Sequence, residues 1–351
     1  MNAKDGRWRA ALSRRVQAGA ARRSTRRRFL VALGAGALGA PLSAFAQQPA
    51  AKTHRIGFLG PAAAAGYEGR TDALRAGLRD LGYIEGKNTV MEFRWAEGKY
   101  ERLPEMAAEL VRLKVDVIVT SGTPAARAAK GATATIPIVM AEVGGDPVAE
   151  GIIASLARPG GNITGSTFFS PELAAKRIEL LKEILPRVTL AGALVNPGNP
   201  SHKPMISAVG SRARQLKMEF RQFEARGPEE FDRAFAAMAK SRAGALVIQE
   251  DAMFNVNLKA IADLAAKHRI LSAGGEAYAA AGGLLAYGVN FPELFRRAAY
   301  FIDKILKGTK PSDLPVEQAN VFQMVINMKA AKALGLKIPQ SVLARADRVI
   351  E

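Results

Sequence analysis

The sequence predicts an α/β protein with two doubly wound, parallel-sheet lobes joined by a hinge. After residue 53, short apolar runs alternate with amphipathic helical patterns along most of the chain. Most of these runs are continuously apolar, as expected of strands that are buried on both faces of a parallel sheet. The alternation breaks at the Gly-rich link Arg158–Gly165 and resumes after Phe169. This break predicts two successive sheets.

Strands and helices are predicted from separate periodicities. Leu74, Leu78 and Leu81 repeat at helical spacing and are followed by Gly82, a residue typical of a helix end. The same spacing recurs at Leu103, Met106, Leu110 and Leu113, and at Ile178, Leu181 and Leu185. The strand-like runs are 54–59, 89–94, 115–120, 137–140, 191–195, 219–223, 245–248, 270–271 and 284–289.

The first 46 residues predict an export signal that is removed from the mature protein. A basic run precedes the apolar segment Phe29–Leu42, and Ala44-Phe45-Ala46 supplies a small-x-small cleavage site. The core Thr25–Leu30 resembles the twin-arginine pattern. A membrane anchor is disfavoured, because a bilayer-spanning helix needs about 20 apolar residues. The dinucleotide-like pattern starting at Gly34 lies in this segment, so we discard it. We predict cleavage near Ala46 and a periplasmic protein.

Composition excludes several classes of function. The net charge is +18, and residues 1–46 contribute half of it through ten Lys or Arg and one acid. The remaining charge is spread along the chain without the basic stripe that nucleic-acid binding needs. The chain has no Cys, and its three histidines are too far apart in sequence for metal-ligand spacing. We therefore expect no nucleic-acid partner, no metal and no cofactor.

A polar residue followed by Pro recurs after several strand-like runs. The four pairs are Thr123-Pro124, Asp146-Pro147, Ser170-Pro171 and Asn199-Pro200. Such pairs favour helix starts, with the polar residue as the cap. Because helices start at the carboxyl ends of strands in doubly wound sheets, these pairs predict a rim of helix N-termini around one cleft. The alternative is that each pair is only a helix cap.

The segment Ser121-Gly122-Thr123 is the predicted anion-binding corner. It follows a buried strand and opens a predicted helix. Free N–H groups at a helix start hold a carboxylate well, Gly122 permits close approach, and the two hydroxyls add donors. We expect this corner to bind an anionic group of a ligand.

Acidic and aromatic residues complete the predicted cleft. Glu142, Asp146, Glu250, Asp251 and Glu276 follow strand-like runs, and an ammonium group would need carboxylates. We expect Glu276, which follows two glycines, to meet a cationic group, whereas Asp146 has the alternative role of a helix cap. Apolar walls could come from Tyr67, Phe168, Phe169, Phe254, Tyr278 and Tyr287, and the alternative for each is core packing. No catalytic motif is present, so we do not expect an enzyme.

An ordered set of motifs covers nearly all of residues 54–345. The set comprises 79–88 (RDLGYIEGKN), 115–126 (VDVIVTSGTPAA), 146–148 (DPV), 158–165 (RPGGNITG), 179–186 (ELLKEILP), 194–198 (LVNPG), 305–311 (ILKGTKP), 314–317 (LPVE) and 327–339 (NMKAAKALGLKIP). By these motifs the chain resembles the ABC-transporter substrate-binding proteins of the tryptophan/tyrosine-type group. The resemblance implies a type I periplasmic binding protein fold, with ligand capture and delivery to a membrane permease.

The resemblance also bears on individual residues. It implies that the ligand lies against the loop containing Ser121. Asn196, in the LVNPG motif, is also a predicted ligand contact. Asn290 stands near a point where an Asp commonly occurs in this group and could meet an amino group. The Asn argues against an α-amino-acid ligand, because an amide cannot balance a charge.

These patterns together predict the binding component of a periplasmic ABC importer for a small organic solute that is carboxylate-bearing, amino-acid-like or aromatic. We expect a monomer that meets a permease in the inner membrane. The predicted lobes are 52–166 with 291–318, and 167–290 with 319–351. The predicted ligand contacts are Tyr67, Ser121, Gly122, Thr123, Asp146, Phe168, Asn196, Glu250, Glu276 and Asn290. Two alternatives remain: a ligand-sensing partner of a membrane receptor kinase, and a periplasmic enzyme.

Overall fold

Two β-sheets organise the chain in the computed structural model, which describes residues 53–199 and 202–351. The predicted export signal, and Pro200 of one predicted helix start, lie outside the described residues. The α/β class with two largely parallel sheets is confirmed.

The first sheet consists of the strands β1 (His54–Gly60), β2 (Thr89–Trp95), β3 (Val117–Ser121), β4 (Ile138–Glu142), β5 (Ile163–Thr167) and β11 (Glu317–Gln318). Its helices are α1 (Glu68–Asp80), α2 (Leu103–Arg112), α3 (Gly122–Ala132) and α9 (Phe291–Leu306). The strand order is β11-β5-β4-β3-β1-β2, and neighbouring strands are parallel. Alternate residues of a strand point to opposite sides, and helices cover both faces. Ile118 therefore packs with α2 and α3, whereas Val117 and Val119 pack with α1 and α9.

The second sheet has the order β13-β12-β10-β9-β8-β6-β7. Its strands are parallel except for the antiparallel pair β10 and β12. The strands are β6 (Leu190–Val195), β7 (Glu219–Glu224), β8 (Ala245–Ile248), β9 (Leu271–Gly274), β10 (Leu285–Val289), β12 (Phe322–Asn327) and β13 (Arg348–Ile350). The helices are α4 (Ser170–Ile184), α5 (His202–Gln215), α6 (Phe231–Lys240), α7 (Ala252–Asn255), α8 (Leu258–Lys267), α10 (Met328–Ala333) and α11 (Gln340–Leu343).

We call the first sheet with its helices lobe 1 and the second sheet with its helices lobe 2. The chain crosses between them three times: after β5, after β10 and after β11. Phe168, Leu173, Val289 and Phe291 form one buried apolar cluster at these crossings. That the lobes are separate domains which move about this region stays a prediction.

Several local predictions were wrong for identifiable reasons. Leu81 was expected on the buried face of α1, but the helix ends at Asp80 and Leu81 is 42% exposed. The link Arg158–Gly165 was expected to separate the sheets, but its last residues enter β5. At Gly165 φ is +129°, and a Cβ would lie 2.1 Å from the Met140 carbonyl oxygen. That glycine is therefore required by close strand pairing.

The polar-Pro pairs do not all start helices as predicted. The helix at Thr123-Pro124 begins one residue earlier, at Gly122, with Ser121 at the cap position. Ser170 is already the first residue of α4, and Phe169 caps it with a left-handed backbone. Asp146-Pro147 opens a turn, not a helix. Among the described residues, no helix is long and apolar enough to cross a membrane.

Candidate ligand-binding cleft

One cavity lies where the carboxyl ends of strands from both sheets meet. Pro61 follows β1, Gly122 follows β3, and Glu142 ends β4 in lobe 1. Asn199 comes after β6 and Glu250 after β8 in lobe 2. The strand order reverses between β1 and β3 in the first sheet and between β6 and β8 in the second, and open α/β sheets bind ligands at such points.

The cavity is narrow in this structure, with about 30 Å³ open to the centre of a water-sized sphere. A ligand of amino-acid size therefore needs the walls to move apart. Its lining residues are Pro61, Tyr67, Tyr100, Gly122, Thr123, Pro124, Glu142, Gly144, Phe168, Asn199, Glu250, Ala252, Asn255 and Phe291. The cavity thus contains aromatic rings, carboxylates and amides, with contributions from both lobes.

Aromatic rings form the apolar walls. Phe168 and Phe291 meet edge to face with ring centroids 5.4 Å apart. Tyr67 is buried with its ring 5.1 Å from that of Trp95, and the Arg70 guanidinium lies over the Phe291 ring at 4.1 Å. These contacts fix the rings before a ligand arrives, so flat or ring-bearing ligands fit the walls.

Glu142 is a buried carboxylate that faces the cavity. Its Oε1 lies 2.5 Å from Ser121 Oγ, which lies 3.0 Å from Tyr67 Oη. The Gly122 backbone N–H also donates to this carboxylate. Burial raises the pKa of Glu142 to about 7, although the nearby Arg70 charge and the hydrogen bonds from Ser121 and Gly122 oppose that rise.

These contacts bear on the predicted anion-binding corner. The Ser121 hydroxyl and the Gly122 N–H were expected to hold a ligand carboxylate, but a carboxylate of the protein already engages both. Two donors of the predicted corner are therefore engaged within the protein, whereas Thr123 lines the cavity, and an anion site at this corner stays a prediction. Because Glu142 presents negative charge to the cavity when ionised, this corner favours a cationic or hydrogen-bond-donating group instead.

Glu250 faces the same cavity and is paired with a buried arginine. The Arg177 side chain is fully buried, and its Nη2 contacts Glu250 Oε1. The Arg177 guanidinium also donates to the backbone carbonyl oxygens of Tyr287, at 2.8 Å, and Ile248, at 3.3 Å. Strands β8 and β10 and the loop after β8 therefore hold the guanidinium in place, which fixes the Glu250 carboxylate at the cavity wall.

A hydrogen bond joins the two lobes beside the cavity. The Tyr100 hydroxyl of lobe 1 donates to Asp251 Oδ2 of lobe 2 at 2.8 Å. Asp251 is buried, which raises the pKa of its carboxyl, and it also accepts from the side-chain amides of Asn196 and Asn199. The predicted ligand contact Asn196 thus lies behind the cavity wall, where it holds Asp251.

Close packing accompanies this hydrogen bond. A Cβ on Gly66 would lie 1.9 Å from Val256 Cγ1, and a Cβ on Gly98 would lie 1.9 Å from Met253 Cε. Gly66 and Gly98 belong to lobe 1, whereas Met253 and Val256 belong to the segment around α7 in lobe 2. The lobes therefore touch directly in this structure.

Of the predicted contacts, Tyr67, Gly122, Thr123, Phe168 and Glu250 line the cavity. The other predicted contacts, including Ser121 behind Glu142, do not line it. Asp146 accepts from the backbone N–H groups of Val148 and Ala149, so it caps a turn. Asn290 caps α9 by accepting from the Glu293 N–H, and it borders a different cavity near the crossings. Glu276 opens a short 3₁₀ turn after β9.

Part of the lining was not predicted from the sequence. Phe291 follows β10 and Glu142 ends β4, and a position at the carboxyl end of a strand is a signal for a cleft residue. Neither residue was among the predicted ligand contacts. Tyr100 and Asn255 carry no such signal, because they reach the cavity only through contact between the lobes. Among residues 53–199 and 202–351, no group of three or more His, Asp or Glu side chains is arranged to hold a metal ion.

Comparison with known proteins identifies the family. Residues 60–350 match the family described as ABC transporter substrate binding protein. The chain belongs to this family. A curated relative, the tyrosine-binding protein of Clostridioides difficile, is 27% identical over 262 residues, which cover 74% of each chain.

Solved structures agree with this assignment. A conserved domain protein from Vibrio cholerae has a TM-score of 0.80 at 29% identity, covering 85% of this chain and all of that one. A domain from Streptococcus pneumoniae, solved in complex with L-Trp, has a TM-score of 0.76 at 27% identity, covering 84% of this chain and all of that one. The fold is therefore that of a type I periplasmic binding protein, as the motifs predicted.

Proposed function

We propose that this protein is the periplasmic binding component of an ABC importer, and that it captures a small aromatic amino-acid-like solute between its lobes. The observation that carries the proposal is the cavity at the carboxyl ends of both sheets, with aromatic walls and two carboxylates. Family membership supports the transport role. We propose that the protein binds its solute without transforming it, since one relative is named a tyrosine-binding protein and another was solved in complex with L-Trp.

The cavity supports a ligand with a ring and a positive group. Tyr67, Phe168 and Phe291 offer apolar surface, and Glu142 and Glu250 offer negative charge. Asn255 makes no side-chain hydrogen bond within the described part of the chain and can donate to a ligand carboxylate. The names of the relatives, one tyrosine-binding and one bound to L-Trp, point to the same ligand class.

Asn290 no longer argues against such a ligand. Asn290 would disfavour an amino-acid ligand only if its side chain faced the ligand's amino group in the cleft. Because Asn290 caps α9 and borders another cavity, Glu142 and Glu250 are the groups that would meet an ammonium.

We further propose that residues 1–46 direct export and are removed near Ala46, and that the closed lobes are what the permease recognises. The contact between Tyr100 and Asp251 forms only when the lobes meet, so a ligand that favours the closed form would present it. Replacing Arg26 and Arg27 with Lys should trap precursor in the cytoplasm. Unchanged export would contradict the twin-arginine route.

Ligand binding is tested by thermal unfolding of the chain that starts at Gln47. The panel contains L-tyrosine, L-tryptophan, 3-(4-hydroxyphenyl)propanoate, tyramine, an aliphatic amino acid and a sugar. A ligand at 100 times its Kd adds about 2.7 kcal/mol to the free energy of unfolding. We expect stabilisation by the aromatic amino acids and little by the sugar. Stabilisation confined to sugars, or by no compound in this panel, would contradict the proposed ligand class.

A further inference from the structure

Glu142 holds a position that the binding of a neutral solute does not explain. Its carboxylate is buried and faces the cavity. It accepts hydrogen bonds from the Ser121 hydroxyl and the Gly122 backbone N–H. Glu250 lines the same cavity, so two carboxylates share one small enclosed space. Two carboxyl groups in such a space cannot both ionise without a large free-energy cost unless a cation lies between them.

The charges around Glu142 decide which carboxylate takes a proton. Glu250 is already balanced by the buried guanidinium of Arg177. Glu142 has Arg70 nearby, but Arg70 lies over the Tyr67 and Phe291 rings and makes no ion pair within 4.0 Å in the described part of the chain. The remaining titratable group in contact is Tyr67, which reaches Glu142 through Ser121. Glu142 is therefore the less compensated carboxylate.

We propose that Glu142 carries a proton in the ligand-free protein at slightly acidic pH, and that a ligand ammonium group displaces this proton when it binds. The proposal rests on the proposed function and adds a criterion for ligand selectivity. The cavity binds solutes that carry a protonated amine, and their binding releases a proton to the solvent. The proton leaves Glu142 Oε1 or Oε2, and the ammonium keeps its own protons.

The physical reason is the change in the charge that faces Glu142. Burial favours the neutral carboxylic acid and raises the pKa of Glu142 to about 7. The groups that contact it, Ser121 and Gly122, and Tyr67 behind Ser121, belong to lobe 1 and stay with Glu142 when the lobes part in the ligand-free protein. An ammonium at hydrogen-bond distance favours the carboxylate and lowers that pKa again. At pH 6, about nine-tenths of the ligand-free molecules would hold this proton, against about one-tenth at pH 8.

The sign of the proton exchange discriminates between ligand orientations. An ammonium facing Glu142 causes proton release, so the apparent Kd rises about tenfold from pH 8 to pH 6. A ligand carboxylate facing Glu142 would instead stabilise the neutral acid, cause proton uptake and bind more tightly at low pH. The two orientations predict opposite slopes.

Isothermal titration calorimetry with L-tyrosine and L-tryptophan tests the proposal directly. Titrations at pH 6 in two buffers of different ionisation enthalpy give the number of protons released. We expect close to one proton at pH 6 and close to none at pH 8. The deaminated analogue 3-(4-hydroxyphenyl)propanoate should release none. Binding of either amino acid at pH 6 without proton release, or with uptake, would overturn the inference and leave the binding function standing.

Two variants sharpen the result. Glu142→Gln should abolish proton release and flatten the pH dependence of any remaining binding. Glu183→Gln is the control, because Glu183 pairs with Arg345 on the surface away from the cleft. The control should release the same number of protons as the wild type.

A measurement without ligand tests the protonation of Glu142 independently of which ligand the protein binds. Potentiometric titration of ligand-free wild type minus Glu142→Gln should show one group that titrates near pH 7. A difference curve with its midpoint below pH 5 would overturn the inference whatever the ligand is. Failure of every aromatic amino acid to bind would instead contradict the proposed ligand class as well.

Discussion

The Tyr100 hydroxyl lies 2.8 Å from Asp251 Oδ2 and joins lobe 1 to lobe 2 beside the ligand cavity. A second Tyr–Asp pair offers a matched comparison within one lobe. Tyr83 Oη lies 3.1 Å from Asp303 Oδ1, and both residues belong to lobe 1. The Tyr100 hydroxyl therefore stabilises the contact between the lobes, whereas the Tyr83 hydroxyl stabilises lobe 1 alone.

Tyr100→Phe should weaken binding of an aromatic amino acid by about 10- to 150-fold. The change removes one hydrogen bond to a buried carboxylate, worth about 1.5–3 kcal/mol, and that bond exists only when the lobes meet. Calorimetry at pH 8 measures the loss. Tyr83→Phe is the control and should lower the unfolding temperature while leaving Kd unchanged. Equal losses of affinity in the two variants would contradict a role in closure.

Gly66→Ala should also weaken binding, by a steric route. The added methyl would lie 1.9 Å from Val256 Cγ1, so the lobes cannot meet as they do here. Small-angle scattering should show a larger radius of gyration with ligand present than for the wild type. Gly69→Ala is the control, because a Cβ there has no neighbour within 4 Å. A wild-type Kd for Gly66→Ala would show that ligand binding tolerates a gap between the lobes.

Arg177→Met should destabilise the protein by about 3–5 kcal/mol, because it leaves Glu250 buried without its partner. Adding Glu250→Gln removes the unpaired charge and should recover much of that loss. Urea denaturation measures both variants. The double variant should fold and yet bind aromatic amino acids weakly, since the cavity has lost a carboxylate. Full affinity in the stable double variant would show that Glu250 does not contact the ligand.

Glu142→Gln should stabilise the ligand-free protein above pH 7. Burial raises the pKa of Glu142 to about 7 from an ordinary value of 4.5. The stabilisation linked to this carboxyl is therefore fully present below about pH 4.5 and is lost as the pH rises through 7. The difference is on the order of 3 kcal/mol. Urea denaturation between pH 5 and 8 should give a steeper fall in unfolding free energy for the wild type than for the variant. Parallel profiles would contradict a buried, ionisable Glu142.

The fold was predictable because strands that are buried on both faces have a local sequence pattern, a short run of apolar residues. Continuous apolar runs such as Val117–Thr120 identified most strands of both sheets. The strand at Ile163–Thr167 escaped because Gly165, which close pairing with β4 requires, made the segment look like a linker. The strands β11, β12 and β13 were not predicted either, and β11 and β13 are only two and three residues long.

The site was less predictable, because its chemistry depends on contacts between distant residues. The loop Ser121–Thr123 was correctly placed at the end of a buried strand, but the partner that occupies its donors is Glu142, 21 residues further on. Nothing local to Ser121 shows that partner. Likewise, Tyr100 reaches Asp251 across 151 residues of chain. Helix-start patterns predict where donors lie, and the tertiary fold decides which group they meet.

The central claim is that a small aromatic amino acid binds between the lobes. The most direct measurement is calorimetric titration of L-tyrosine and L-tryptophan at pH 8 into the chain from Gln47 and into the double variant Arg177→Met with Glu250→Gln, which leaves no unpaired buried charge. We predict one ligand per protein molecule for at least one of the two amino acids, with binding strongly weakened in the double variant. No heat of binding from either amino acid, or an unchanged Kd in the double variant, would contradict the claim.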